Sequence, residues 1–145
     1  MKAVVQRVKS ATLSVDDKLI SQIENGLVVF LGVGVGDTKE NAKYLANKIS
    51  NLRIFSDENG KMNKSVINVG GEILAVSQFT LYGDVSHGNR PSFTSAEKPE
   101  IAISIYDYFC SCLKENNVVV KKGVFGADMQ ISQQNDGPVT IIYDI

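Results

Sequence analysis

The chain has 145 residues, the length of one domain with its own core, so we expect residues 1–145 to form a single domain. Hydrophobic residues make up 43% and charged residues 21% of the chain, as in ordinary globular proteins. A formal net charge of −1 excludes a general polyanion binder, because broad affinity for phosphate needs many basic contacts, and we expect no DNA partner. No apolar run approaches the ~20 residues of a membrane span, so we expect no membrane partner.

Two cysteines and one histidine limit the possible disulfide and metal-binding chemistry. Cys110 and Cys112 are two residues apart on a predicted helix, where their side chains diverge, so we expect no disulfide between them. Free thiols and an N-terminus without a long apolar segment predict a cytoplasmic location. His87 is the one histidine, and no Cys-x-x-Cys or His-x-x-x-His spacing is present, so we predict no metal site and no cofactor.

The first third of the chain is predicted to begin with strands. Residues 2–15 and 19–23 are β-rich and are separated by a turn at Asp16-Asp17. Residues 27–31 are continuously apolar, which predicts a strand buried on both faces. The short turns between these strands predict a meander.

A glycine-rich stretch, residues 32–36, follows the third strand. Its spacing is GxGxG rather than the GxGxxG of dinucleotide-binding loops, and no alternating strand and helix units follow. A strand end that bends closely past another backbone explains it better. If the chain were a nucleotide-binding enzyme, nucleotide would protect it against thermal unfolding.

A helix over residues 38–51 is predicted from its start and its periodicity. Asp37 with Glu40 three residues later resembles a capping box. The apolar positions with helical spacing are Ala42, Leu45, Ile49 and Leu52. A short strand over residues 53–55 follows.

The second half adds strands around one more helix. Residues 72–81 predict a strong strand and residues 82–93 a loop. A second helix opens at residues 95–97 with Pro99 in its first turn and ends at Asn116-Asn117. Its predicted buried positions are Ile101, Ile105, Tyr108, Phe109 and Cys112. Residues 118–120 and 125–131 predict further strands. The sum is an α+β fold with mostly antiparallel, barrel-like β-sheets and two main helices.

Hydrogen-bonding side chains mark the end of the strand over residues 72–81. If this strand continues through Leu81, Ser77 and Phe79 face one side of the sheet, and Gln78 and Thr80 face the other. A polar cluster at a strand end is a common site position, although it is also a common way for a strand to meet water.

A side-chain nucleophile has little support. A serine or threonine hydroxyl needs an adjacent base, and the one histidine, His87, lies in a predicted loop. Hydrolysis would then depend on backbone N–H groups directed at a developing oxyanion. That chemistry suits an already reactive ester better than a peptide.

A dense turn lies near the C-terminal end. Asn135-Asp136-Gly137-Pro138 combines four turn-forming residues, and residues 139–143 resume a β-rich run. The simplest interpretation is a hairpin, although a proline among strands needs an explanation, and a cis bond is conceivable at a Gly-Pro junction.

Two of these segments together resemble the motifs of the D-aminoacyl-tRNA deacylase family. They are Ser77-Gln78-Phe79-Thr80-Leu81 and Asn135-Asp136-Gly137-Pro138-Val139-Thr140. The similarity extends over nearly the whole chain, with matching segments in the family's order. These segments are Met1-Lys2-Ala3-Val4-Val5-Gln6-Arg7-Val8, Asn51-Leu52-Arg53-Ile54-Phe55, Gly60-Lys61-Met62-Asn63, Arg90-Pro91-Ser92-Phe93 and Gly123-Val124-Phe125-Gly126-Ala127-Asp128-Met129.

The resemblance implies a homodimer that hydrolyses the ester between a D-amino acid, or glycine mischarged on tRNA-Ala, and the 3′-terminal adenosine of tRNA. It also implies that Gly137-Pro138 is cis and enters the partner subunit's pocket. There, its carbonyls hold the substrate's amino group and leave no room for an L side chain. Arg7 resembles the arginine that supports this Gly-Pro loop.

The remaining site residues also follow from the resemblance. Those expected to line the reacting ester are Ser77, Gln78, Phe79 and Thr80. Those expected beside the terminal adenine are Phe125, Ala127 and Met129. Two departures from the family pattern are Gln133-Gln134, where apolar residues are usual, and His87, where a basic residue is usual.

Neither the residues nor the resemblance indicates a side-chain base. We therefore expect the 2′-OH of the tRNA to help activate water, with Thr80 as acyl acceptor in the competing mechanism. A non-catalytic RNA-end binding module on the same fold is an alternative. The fold also resembles the editing domain of some archaeal threonyl-tRNA synthetases, but a free chain with this Gly-Pro motif fits the deacylase better.

Overall fold

The computed structural model describes all 145 residues, and its α+β architecture agrees with the prediction. A barrel-like, mostly antiparallel sheet packs against two helices, and a second sheet has two short strands. The strands are β1 (Lys2–Val15), β2 (Lys18–Ile23), β3 (Gly26–Gly32), β4 (Phe55–Ser56), β5 (Met62–Lys64), β6 (Glu72–Ser77), β7 (Val119–Lys122) and β8 (Gln130–Asp144). The helices are α1 (Lys39–Ser50), a 3₁₀ helix (Phe79–Tyr82) and α2 (Pro99–Glu115). No helix is long and apolar enough to cross a membrane.

Strand β1 is the centre of the main sheet. One of its edges pairs with β8 along nearly its whole length, and the other pairs first with β3 and then with β2. The predicted meander is wrong, because β3 folds back onto the first half of β1 instead of pairing with β2. Strands β3, β6 and β7 continue the sheet in parallel. The Ser21 hydroxyl on β2 donates to the Lys122 carbonyl on β7 at 2.6 Å, which brings the two ends of the sheet together.

The capping box of helix α1 lies one residue later than predicted. Thr38 is the N-cap: its hydroxyl accepts from the Asn41 amide at 3.4 Å, and the Asn41 side chain accepts from the Thr38 amide at 2.9 Å. Asp37 instead accepts from the Gly34 amide at 2.6 Å and pairs with the Met1 ammonium at 2.8 Å. The Asp37 carboxylate therefore serves one local contact and one tertiary contact instead of capping the helix.

Pro99 lies in the first turn of helix α2, as predicted, but the helix begins at this residue and not at residues 95–97. Its buried side differs from the predicted one, because Ile101 is 48% exposed and Tyr108 is only half-buried. Tyr106 is buried instead, and its hydroxyl donates to the Ala75 carbonyl on β6 at 2.9 Å. The predicted positions that are buried are Ile105, Phe109 and Cys112.

Two predicted strands are shorter than expected, and both changes shape the site. Strand β6 ends at Ser77 and turns into the 3₁₀ helix, so the predicted alternation of faces through Thr80 is wrong. The segment predicted as a strand over residues 125–131 stays irregular until β8 begins at Gln130. In each case a local turn replaces the strand: the Leu81 amide donates to the Gln78 carbonyl at 3.3 Å, and the Ala127 amide donates to the Val124 carbonyl at 3.2 Å.

The predicted hairpin at the Gly-Pro turn is also wrong. Strand β8 runs through the turn, and the residues on both sides of it pair with the same strand, β1. The register passes from Gln6 opposite Thr140 to Val8 opposite Asn135, so residues 136–139 bulge out opposite Arg7. A bulge tolerates proline because the extra residues leave the ladder.

Candidate active site

A cavity of about 640 Å³ lies where β6 ends. It joins two of the predicted sets of residues: Ser77, Gln78 and Phe79 from one part of the chain, and Phe125, Ala127 and Met129 from another. Thr80 is adjacent in sequence but does not line the cavity, and neither do Arg7, Gly137 and Pro138.

Hydrogen bonds hold the turn after β6 in place. The Gln78 amide donates to the Leu31 carbonyl on β3 at 2.8 Å, which ends the regular pairing with that strand. The Gln78 side-chain amide donates to the Thr80 hydroxyl oxygen. The Gly83 amide donates to the Thr80 carbonyl at 2.9 Å and closes the 3₁₀ helix. Phe79 is thereby presented at the surface with 55% of its area exposed.

The glycine-rich stretch packs against this 3₁₀ helix. A Cβ at Gly34 would lie 2.5 Å from the Tyr82 ring, and one at Gly32 would lie 3.1 Å from the Gln78 carbonyl oxygen and 3.2 Å from the Tyr82 ring. The expectation of a close approach to another backbone is thus met at Gly32, while at Gly34 the neighbour is an aromatic ring. Because glycine has no Cβ, the 3₁₀ helix can pack closely against the end of β3 at these two positions.

The Tyr82 hydroxyl adds a polar contact to the same arrangement. It donates to a carboxylate oxygen of Asp37 at 3.3 Å. Burial, with the nearby Asp37 charge as the second cause, raises the pKa of Tyr82 well above its usual value. The phenol is therefore a neutral donor that ties the 3₁₀ helix to the loop before α1.

Aromatic and helical residues complete the wall of the cavity. The Phe93 and Phe79 rings meet edge to face with centroids 5.1 Å apart. Phe125 lies 6.1 Å from the Tyr106 ring, so α2 supports its position. The cavity residues that sequence reasoning missed include Phe93, Ala96, Glu97, Lys98, Pro99 and Ala102. Among these residues, only Phe93 lies in a segment that resembles the family, Arg90-Pro91-Ser92-Phe93.

The Gly-Pro bulge lies outside the cavity of its own chain. The Gly137–Pro138 peptide bond is cis, and both residues are exposed. Arg7, whose side chain is 11% exposed, lies beneath the bulge with its Nε 3.1 Å from a carboxylate oxygen of Asp136 and 3.2 Å from the Asp136 carbonyl oxygen. Its Nη1 donates to the Ile54 carbonyl. The guanidinium therefore joins the start of the bulge to the segment before β4.

The residues that depart from the family pattern, Gln133-Gln134 and His87, either make polar contacts or are exposed. The Gln133 side-chain amide donates to the side-chain oxygens of Gln6 and Asn135, both at 2.7 Å, so this part of β8 is held by polar contacts. Gln134 is exposed. His87 lies in the exposed loop after the 3₁₀ helix and does not line the cavity.

Comparison with known proteins identifies the class. A family model described as D-Tyr-tRNA(Tyr) deacylase matches residues 4–144. A D-aminoacyl-tRNA deacylase from Thermosipho africanus (strain TCF52B) is 56% identical over 144 residues, which cover 99% of this chain and 97% of that protein. One from Thermus aquaticus is 51% identical over 144 residues, which cover 99% and 95%.

Solved structures agree on the fold. One titled "c-Myc DNA Unwinding Element Binding Protein" superposes with a TM-score of 0.94 at 45% identity, covering 100% of this chain and 99% of that chain. Another, titled "Structural Analysis of a probable eukaryotic D-amino acid tRNA deacylase", has a TM-score of 0.83 at 19% identity, covering 99% and 98%. At that identity the second likeness concerns the fold alone.

Fold and site together define a hydrolase that acts on aminoacyl-tRNA. More narrowly, the chain belongs to the D-Tyr-tRNA(Tyr) deacylase family. The sequence prediction of an aminoacyl-tRNA ester hydrolase of the D-aminoacyl-tRNA deacylase family is therefore confirmed.

Proposed function

We propose that two copies of this chain form a homodimer that removes D-amino acids from tRNA. Glycine mischarged on tRNA-Ala is a second substrate. Each cavity holds the 3′-terminal aminoacyl-adenosine, and Gly137-Pro138 of the partner subunit closes it against L-amino acids.

The observation that carries this proposal is the composition of the cavity. The lining combines the apolar side chains of Phe125 and Met129 with the polar side chains of Ser77 and Gln78. An aminoacyl-adenosine likewise combines a flat base with a polar ester. Stacking of a base on an aromatic side chain is typical of single-stranded RNA recognition.

The chemistry requires no side-chain base. The cavity has no histidine, and the amides of Phe79 and Thr80 come first in the 3₁₀ helix, where no earlier carbonyl of that helix can accept from them. We assign these two amides to the developing oxyanion, because Phe79 lines the cavity and Thr80 directly follows it in the 3₁₀ helix. The vicinal 2′-OH of the terminal ribose then helps to activate the attacking water, which also explains a requirement for RNA.

The competing nucleophile is less well supported. The Thr80 hydroxyl oxygen accepts from the Gln78 side chain and bonds to no base. A threonine nucleophile needs a neighbouring group that removes its proton. Thr80 therefore supports the turn in this proposal, and its amide rather than its hydroxyl serves the reaction.

Chiral selection depends on the second copy. Ile131 of β8 lines the cavity, and the regular strand from there to Asn135 spans about 13 Å at ~3.3 Å per residue before the bulge begins. Neither Gly137 nor Pro138 lines the cavity of its own chain. Strand β8 pairs only with β1, and Ile142 on it is 73% exposed, which suits a contact between copies. A rigid edge that clashes with an L side chain rejects it more effectively than added contacts could favour D.

The deciding experiment compares D-Tyr-tRNA, L-Tyr-tRNA and Gly-tRNA-Ala as substrates of the wild-type protein. We expect hydrolysis of the first and third and none of the second, since glycine has no side chain to clash. Equal rates on D- and L-Tyr-tRNA would refute the chiral assignment. Mass measurement in solution tests the dimer, and a monomer that retains D-specific hydrolysis would refute the cross-subunit role of Pro138.

A non-catalytic RNA-end binding module is the second candidate, and a labelled D-aminoacyl-tRNA that binds without losing its amino acid would identify it. DNA binding is not proposed, although one similar structure bears a DNA-binding title. The net charge of −1 gives no basis for broad affinity toward a duplex.

A further inference from the structure

A second concave surface, here called the α1 groove, lies away from the cavity. It has a volume of about 550 Å³ and is formed by the end of α1, the segment after it and β8. Its lining consists of Tyr44, Asn47, Lys48, Asn51, Leu52, Arg53 and Tyr143. None of these residues has a role in the reaction described above.

The α1 groove carries positive charge without a counterion. Lys48 and Arg53 are exposed, and neither forms an ion pair with a carboxylate. No Asp or Glu lines the groove. Arg53 donates to the Asn63 carbonyl at 2.9 Å and to the Asn63 side-chain oxygen at 2.8 Å, so its guanidinium is held in place while donors remain free.

The other lining groups suit the same kind of ligand. Tyr44 is 52% exposed, and the Lys48 ammonium lies 5.6 Å from its ring centroid. Asn47 and Asn51 contribute exposed amides. A fixed guanidinium, an ammonium, amide donors and a tyrosine form the set that proteins use to contact phosphates and sugars of nucleic acids.

Helix α2 relates the groove to the cavity. Lys98, Pro99 and Ala102 at its start line the cavity. Asn116, just past its end, donates to the Asn47 side chain of the groove at 2.8 Å. A helix of 17 residues is about 25 Å long, so the two surfaces are several nucleotides apart on a bound RNA.

We propose that the α1 groove binds the phosphate backbone of the substrate tRNA outside its terminal adenosine. This rests on the proposed function, in which the cavity holds that adenosine. A self-matched contact between two copies is a poorer occupant, because a two-fold axis would place Lys48 and Arg53 of one groove against those of the other. The groove therefore supplies affinity for the RNA, while the cavity supplies the reaction.

The test uses the variant Lys48→Glu/Arg53→Gln in the full chain. Lys18→Glu is the control, because this exposed lysine at the start of β2 lies outside the groove and undergoes the same charge reversal as Lys48. Binding of deacylated tRNA is measured over a range of salt concentrations. Hydrolysis is measured on D-Tyr-tRNA and on D-tyrosyl-adenosine, and urea midpoints report folding.

The expected result is weaker tRNA binding by the groove variant, with a salt-dependence slope reduced by about two, one for each lost phosphate contact. KM for D-Tyr-tRNA rises and kcat stays unchanged. The rate on D-tyrosyl-adenosine stays at the wild-type value, and Lys18→Glu behaves as wild type in every assay.

Four outcomes would overturn the proposal. Two concern binding: unchanged tRNA binding by the groove variant, or an equal loss of tRNA binding by Lys18→Glu. The third is a loss of hydrolysis on D-tyrosyl-adenosine equal to that on D-Tyr-tRNA. The fourth is a change in the oligomeric mass of the groove variant, which would indicate a second copy in the groove. Failure of the wild-type protein to hydrolyse either substrate would count against the proposed function alone. The deacylated-tRNA binding assay would still decide the role of the groove.

Discussion

Arg7 and Asp136 form an ion pair of 3.1 Å directly beneath the Gly-Pro bulge, and the same guanidinium donates to the Asp136 carbonyl at 3.2 Å. Residue 7 therefore holds both the side chain and the backbone at the start of the bulge. Its third contact, to the Ile54 carbonyl, links the bulge to the segment between α1 and β4. The position of Gly137-Pro138 depends on one buried cation.

Arg7→Ala is expected to lower stability by about 1–3 kcal/mol, because it leaves the buried Ile54 carbonyl without its partner. It should also relax selection between D- and L-Tyr-tRNA. The matched variant Asp136→Asn removes only a partly exposed ion pair, worth about 0–1 kcal/mol, and keeps the backbone contact. Urea denaturation and hydrolysis rates check both variants, and an Arg7→Ala enzyme with wild-type selectivity would contradict the supporting role.

Thr80→Ala separates the two mechanisms. If the amide of residue 80 serves the oxyanion, the variant keeps activity near wild type, because alanine retains that N–H. The lost contact with Gln78 is exposed and should cost little stability. Single-turnover hydrolysis of D-Tyr-tRNA measures the effect, with circular dichroism as the check on folding. A folded variant without activity would instead support Thr80 as the acyl acceptor.

Gly34→Ala should displace the 3₁₀ helix that contains Phe79 and Thr80. The new Cβ would lie 2.5 Å from the Tyr82 ring, and overpacking of this kind costs about 1–3 kcal/mol. Because Tyr82 belongs to the 3₁₀ helix with Phe79 and Thr80, we expect kcat to fall. Tyr82→Phe is the control, since it keeps the ring and loses only the 3.3 Å contact with Asp37. Equal kcat values for Gly34→Ala and wild type would show that the helix tolerates the shift.

Stability is expected to fall in alkaline solution. Burial raises the pKa of Cys110 to about 11 from 9.0, and burial likewise raises the pKa of Tyr106. Above the unfolded thiol's pKa the unfolded chain binds fewer protons than the folded chain, so the free energy of unfolding decreases as pH rises toward the folded value. Urea midpoints from about pH 8 to about pH 10 should decline, and less steeply in Cys110→Ala. Constant midpoints would contradict this linkage.

Local patterns predicted much of the fold. The β-rich run of residues 2–15 became β1, and the apolar spacing after residue 38 became α1, because periodicity alone shows which face a segment buries. The predicted N-cap at Asp37 is wrong because Asp37 has tertiary partners, the Met1 ammonium and the Tyr82 hydroxyl, that local capping rules do not describe. The predicted burial of Ile101 is wrong because helical spacing alone does not show where α2 meets β6.

The amino-acid sequence by itself determined the family, the residues of the candidate site and the two helices, since these depend on motifs and local spacing. Only the tertiary structure decided that Ser77 and Phe125 share one cavity, because that contact depends on how the end of β6 meets the irregular segment before β8. It also decided that Gly137-Pro138 forms a bulge opposite Arg7 rather than a hairpin. The reason is register: both flanks of the turn hydrogen-bond to β1, a partner more than a hundred residues away in the chain.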